Sequence, residues 1–346
     1  MQRRSIWVWA LSMALVAVLA LGTGAQTQPS AALNEARKGT YVPLPATPPG
    51  SQQVAVGFYP VAIYDLDQAS NTFYADTYVW LRWKGEVDPS ATLEFTNMVE
   101  EWGKLLEPTL EEPKTLPDGS TYQLYRVEGR FVQPFSLADY PLDRHSLGIR
   151  IEDTTNGVNQ MSYVIDQAAS GVDNKLEIPG WKLQGWKAEI LEHDYGTNFG
   201  ESEQPSNYSV ANFQLIIQRP LSFFVWKLLL PLVIVVSAAL VALLINPKSI
   251  DARLALPMGA LLSAIFLQRG YSDTLPDLGY LVFMDKIYLL AYPLILAVLI
   301  RAIVAYKKGR DANDTELAEI HQVDRKTIAI LGIVFLVGTG VITAFR

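Results

Sequence analysis

The residues between Asp251 and Pro276 carry the pattern most readily turned into chemistry. Wound at about 3.6 residues per turn, they gather Asp251, Ala255, Gly259, Leu262, Phe266, Arg269 and Asp273 into one stripe, within an arc of roughly 80°. The stripe is charged at both ends, small near its start and bulky in its middle. Leu254, Leu256, Met258, Leu261, Ile265 and Leu267 occupy the remaining faces, which suit lipid or neighbouring helices. At about 1.5 Å per residue the stripe spans roughly 33 Å, close to the thickness of a bilayer's hydrocarbon layer. Charged rings at the mouths of an apolar constriction are what a hydrophobically gated ion pathway requires. Ions collect at the mouths and stop where nothing replaces their hydration shell. A buried membrane helix whose charges merely mark its two ends fits the same stripe, so the flanking sequence has to separate the two readings.

Other chemistries find little support. The chain of 346 residues contains no cysteine, which removes disulfides and thiolate metal sites. His145, His193 and His321 are scattered without ligand spacing. No paired carboxylates, metal cluster or nucleophile elbow is apparent, so no catalytic residue, metal or cofactor is expected. Asp65, Asp67 and Asp76 are explained by turn chemistry and strand alternation. A net charge of −7 without a basic run argues against nucleic acid.

The elements that position the stripe are legible in order. Residues 1–25, with Arg3 and Arg4 ahead of a short apolar run and small residues after it, predict a signal peptide. Residues 26–50, rich in Pro, Ala, Thr and Gln, predict a flexible lead-in. From 51 to 219, strand-like runs alternate with turn signals such as Asp118-Gly119, Asn156-Gly157 and Pro179-Gly180, as in a β-sandwich. Residues 220–346 hold four apolar segments, 221–245, 252–271, 280–304 and 328–344, predicting an all-α transmembrane bundle. Lys227 lies near the outer end of the first, where it can snorkel. Lys248, Lys307, Lys308, Arg310, Arg325 and Lys326 fall in the loops that a leader peptide places in the cytosol. Leader and loop charges thus predict the same topology, with the sandwich outside. Ligand sensing by the sandwich, with the spans as a mere anchor, is the alternative this organisation leaves open.

Specific residues add a resemblance. Tyr140-Pro141-Leu142-Asp143 is similar to the aromatic-Pro-x-Asp loop signature of the pentameric ligand-gated ion channels, the Cys-loop receptor superfamily. Arg219-Pro220 entering the first span, Leu228-Leu229-Leu230-Pro231 within it, Leu275-Pro276 after the stripe helix and Gly279-Tyr280-Leu281 opening the third span follow in family order. From about Val54 onward the chain resembles a bacterial member. The two cysteines that name the superfamily fall at Gln133 and Leu147, and an aromatic that helps cage cationic agonists falls at Thr154.

The resemblance implies a homopentamer, each chain joined by four further copies, in the bacterial inner membrane with membrane lipid around it. It makes the stripe residues rings around a central pore, with Leu262 and Phe266 as the gate. Asp251 becomes a cytoplasmic carboxylate ring favouring monovalent cations. Asp67, Tyr140, Pro141, Asp143, Arg219 and Pro276 are the expected coupling residues. A small-molecule or proton agonist is expected under the Asp194–Asn207 loop, with Tyr195, Phe199 and Tyr208 from one subunit and Tyr78 and Trp80 from its neighbour.

Overall fold

The computed structural model of the chain describes residues 40–99, 105–201 and 205–346. The expected signal peptide and most of the lead-in lie outside these residues. The chain divides into two compact units, one of strands and one of helices, and the helical unit takes in Ser136–Asp143 as well as Pro220–Arg346.

Among the described residues the strand unit forms two sheets. The first runs β1 (Thr40–Pro43), β11 (Lys182–Asp194), β12 (Asn207–Gln218), β9 (Arg144–Asp153) and β4 (Leu93–Phe95). The second runs β10 (Met161–Ile165), β2 (Gln52–Asp67), β3 (Thr72–Trp83), β8 (Thr121–Val132) and β5 (Met98–Val99). There β6 (Leu105–Pro108) and β7 (Lys114–Thr115) also pair with β8. Period-2 alternation explains the layering. On β3, Phe73, Ala75, Thr77, Val79 and Leu81 point into the core, and Tyr74, Tyr78, Trp80 and Arg82 point away from it. Phe58 of β2 stacks on Phe213 of β12 with ring centroids 4.9 Å apart, closing the sandwich across the two sheets. The buried amide of Asn97 donates to the carbonyls of Val132 and Gly148 and accepts from the Arg150 N–H, satisfying backbone of both sheets. β1 lies in the expected lead-in: Thr40–Pro43 is a strand paired antiparallel to β11.

The helical unit contains α1 (Phe223–Leu244), α2 (Ile250–Ser272), α3 (Phe283–Gly309) and α4 (Asp314–Ala344), each long and apolar enough to cross a membrane. The fold is a β-sandwich followed by a four-helix bundle, as the sequence predicts. α4 starts well before Ile328, because Asn313 and Glu316 form a reciprocal cap. The Asn313 Oδ1 accepts from the Glu316 N–H at 2.9 Å, and Glu316 Oε2 accepts from the Asn313 N–H at 2.9 Å. Hydropathy registers only the apolar half of this helix; its polar first turns read as loop.

Candidate pore helix and ligand-site residues

α2 has two different sides. Arg253, Pro257, Ala260, Ala264 and Tyr271 are buried against the chain's own helices. All seven stripe residues, Asp251, Ala255, Gly259, Leu262, Phe266, Arg269 and Asp273, are exposed. Leu262 and Phe266 remain 55% and 66% accessible in the single chain, a large apolar surface for the middle of a helix bundle. Arg269 Nε meets Asp273 Oδ1 at 2.8 Å with both side chains exposed, so the charges at the C-terminal end of the stripe form an i,i+4 pair. Asp251 sits in the first turn of α2, where the helix dipole favours a carboxylate, and makes no ion pair among the described residues.

The sequence leaves Arg253 free to pair with Asp251; the fold gives it another partner. Arg253 is 0% exposed and donates through Nη2 to Asp324 of α4 and to the Leu243 carbonyl. Arg301 of α3 reaches the other oxygen of Asp324 from Nε at 2.6 Å. One carboxylate therefore pairs with two guanidinium groups from two helices, which leaves the trio with one positive charge in excess, and Arg253 is turned away from Asp251.

The expected coupling residues are placed as follows. Tyr140 is buried, Asp143 is buried, and Tyr140-Pro141 is a cis peptide. Pro276 is half-buried in the turn after α2. Within the strand unit, Asp67 accepts from Ser70 Oγ at 2.8 Å and from the Ala69 N–H at 2.9 Å. The Ser70 hydroxyl, then burial acting oppositely and the turn's N–H groups, leave the Asp67 carboxyl below its ordinary range. Arg219 donates to Gln68 Oε1 at 3.0 Å and lies over the Trp181 ring at 4.3 Å.

The fold brings Tyr195, Phe199 and Tyr208 together. Tyr195 meets Phe199 and Tyr208 edge-on with centroids 5.0 Å and 5.8 Å away. Phe199 is largely exposed, and Tyr208 is buried. Sequence reasoning missed the centre of this cluster. Glu152, almost wholly buried, accepts from Tyr195 Oη at 2.7 Å and lies 3.0 Å from His193 Nδ1. Tyr41 of β1 stacks on His193 at 4.0 Å, with the Arg150 guanidinium 5.2 Å from the Tyr41 ring. Burial, reinforced by the hydrogen bond to Glu152, pushes the Tyr195 hydroxyl well above the ordinary tyrosine range, so it stays a donor. Antiparallel pairing at Tyr41↔His193 makes the contact, a long-range register that no local pattern announces. Tyr78 and Trp80 lie on β3 in the other sheet, away from this cluster in the same chain. Trp80 Nε1 donates to Asp166 Oδ2 at 3.1 Å, and its ring fills the space over Gly57. Thr154 is exposed and supplies no ring.

No protein-family model matches the chain. A proton-gated ion channel of Gloeobacter violaceus is 20% identical over 291 residues, covering 79% of this chain and 78% of that protein. A gamma-aminobutyric acid receptor subunit beta of Caenorhabditis elegans is 22% identical over 303 residues, covering 79% of this chain and 53% of the relative. A glutamate-gated chloride channel of Drosophila melanogaster is 22% identical over 173 residues, covering 50% of this chain and 36% of the relative. The chain thus spans most of the bacterial protein and about half or less of the animal ones. These relatives are ion channels rather than enzymes.

Proposed function

We infer that this chain, a multi-pass membrane protein related at low identity to the pentameric ligand-gated ion channels of the Cys-loop receptor superfamily, is one subunit of a homopentameric ligand-gated channel whose pore is lined by α2. The observation that carries this reading is the two-sidedness of α2. Its buried side is packed into the chain's own bundle, while the stripe stays uncovered from Asp251 to Asp273. Four further copies around a central axis would turn each stripe residue into a ring.

In this reading Leu262 and Phe266 form the gate, because an ion crossing apolar rings loses hydration without replacement. The Asp251 ring concentrates cations at the cytoplasmic mouth, and monovalent cations are the permeant species. Its freedom from Arg253 supports this, and the Arg269–Asp273 pair leaves the outer mouth nearly neutral. The named relatives include a chloride channel, so charge preference is tested by reversal potential. The agonist, a small amine or a proton, acts at Tyr195, Phe199 and Tyr208 with Tyr78 and Trp80 of the adjacent subunit. Asp67, Tyr140, Pro141, Asp143, Arg219 and Pro276 carry the response toward the helices. The protein belongs in a bacterial inner membrane, surrounded by lipid, with the strand unit outside the cytosol.

The chain has no cysteine, so each introduced thiol is the only one present. Single cysteines along α2 are expected to react with aqueous thiol reagents, and to block flux, at the seven stripe positions but not at Ala260 or Ala264. Reactivity without a three-to-four-residue rhythm would remove the pore assignment. Asp251→Lys is expected to move the reversal potential toward that of the anion; an unchanged value would remove the selectivity role.

A further inference from the structure

The outer end of α2 is held by a carboxylate that belongs to the next helix. The first turn of any helix presents N–H groups without intrahelical partners, and in α3 these are met from two directions. Ala138 and Tyr140, in the Ser136–Asp143 loop, offer their carbonyls to the N–H groups of Phe283 and Met284 at 2.8 Å and 3.2 Å. Asp285 folds back and accepts the Val282 N–H on Oδ2 at 3.0 Å. Its other oxygen, Oδ1, is turned to α2, where it accepts from Tyr271 Oη at 2.5 Å and from Gln268 Nε2 at 3.0 Å. Gln268 is in turn fixed at its Oε1 by the hydroxyl of Tyr292, about two turns along α3 from Asp285. Rings reinforce the chain of contacts: Tyr140 stacks on Tyr271 at 5.8 Å, Tyr271 lies 5.7 Å from Tyr288, and Tyr288 lies 6.1 Å from Tyr292.

The hydrogen bonds of Asp285, Gln268, Tyr271 and Tyr292 are linked. The negative charge of Asp285 suits the N-terminal end of α3. The same charge strengthens both bonds to α2, since hydrogen bonds to an ionised acceptor are the strong ones. Gln268 and Tyr271 lie on the side of α2 turned to α3, while Arg269 beside them and Phe266 belong to the exposed stripe. The loop carbonyls and Asp285 therefore hold one helix end between them. A shift of the loop that moves the first turn of α3 moves the acceptor of α2 with it.

We propose that Asp285 is the positioning residue that sets the outer end of the pore helix, transmitting displacement of the Ser136–Asp143 loop to the Phe266–Arg269 segment. This rests on the channel reading above. It is tested in reconstituted wild-type and variant protein by currents evoked with a pH step or a panel of primary amines. Tyr271→Phe and Asp285→Asn are each expected to shift the half-activating proton or amine concentration roughly tenfold, the scale of one lost charged hydrogen bond. The double variant is expected to shift it no further than the larger single one. Shifts that multiply would overturn the proposal, because the two groups would then act separately. Gln268→Met and Tyr292→Phe, which alter no charge, give a second cycle that survives if Asp285→Asn fails to assemble. Exchanging the groups in Asp285→Asn/Gln268→Glu is expected to recover part of the loss, a rescue that simple damage to packing would not give. A wild-type protein that conducts under none of these probes would instead overturn the channel reading, and this role with it.

Discussion

Asp324→Asn should be among the most damaging single substitutions in the helical unit. The Asp324 side chain is 1% exposed and pairs with both Arg253, which is fully buried, and Arg301, whose side chain is 15% exposed. Asparagine keeps the shape and removes the charge, leaving two guanidinium groups without a counter-ion. Breaking a buried ion pair by removing one partner costs about 3–5 kcal/mol. Arg253 already has its Nε and Nη1 unpartnered among the described residues, so beyond Asp324 it keeps only its bond to the Leu243 carbonyl. For a unit of this size that corresponds to a fall of roughly 10 °C in the unfolding midpoint, measured on purified protein in detergent. Asp314→Asn, on the exposed first turn of α4, is the control and should cost less than about 1 kcal/mol. Adding Arg253→Met to Asp324→Asn should recover stability, because it withdraws one of the stranded charges. Equal midpoints for Asp324→Asn and Asp314→Asn, or a further loss on adding Arg253→Met, would refute the assignment of this cluster as a buried and mutually dependent charge set.

Three further outcomes follow from local geometry. Gly57→Ala would set a Cβ about 2 Å from the Trp80 indole, at 2.0 Å from Cε2 and 2.1 Å from Cζ2. The ring must leave Asp166, so a shift of tryptophan fluorescence and a stability loss of several kcal/mol, about 2–4, are expected; an unshifted spectrum would show that the ring had not moved. Tyr195→Phe leaves the buried Glu152 with one donor fewer and should cost about 1.5–3 kcal/mol in thermal or denaturant unfolding, whereas an effect below about 0.5 kcal/mol would place the hydroxyl outside the network. Ser70→Ala removes the largest influence holding the Asp67 carboxyl below its ordinary value of 3.8. That depression stabilises the fold above the unfolded value and is lost as pH falls through the folded one, so the variant's deficit should be present at pH 6 and vanish in strong acid. A deficit independent of pH would assign it to packing instead.

The stripe on α2, the sandwich and the four spans were legible because each rests on a short repeat: three-to-four spacing, two-residue alternation, or apolar length. What local pattern left out was pairing over long separations. Arg253 was readable as a neighbour of Asp251, two residues away, but a helix sends those two side chains to different sides. Its partner Asp324 is far along the chain, inside a polar stretch that hydropathy assigns to a loop. The start of α4 had a local signal, the Asn313–Glu316 spacing of a capping box, which a count of apolar residues passes over. Glu152, His193 and Tyr41 converge through the registers of three strands, and a lone histidine with no ligand spacing gave no reason to look there.

The sorting of charge within the helical unit is where the fold adds most to the functional reading. From sequence, Arg253 stands close enough to Asp251 to pair with it. In the fold Arg253 turns inward to Asp324, which it shares with Arg301. Asp251 turns outward in the first turn of α2, with no ion-pair partner among the described residues. The C-terminal end of α2 is arranged in the opposite way, with Arg269 and Asp273 both exposed and paired to each other. In the proposed ring the stripe itself would contribute the Asp251 carboxylate at one end and the paired Arg269 and Asp273 at the other. Selectivity for cations, if it resides in α2, then has one residue to reside in. That is why reversing the charge at Asp251 is a sharper test than any change at Arg269 or Asp273, where removing either group also releases its partner.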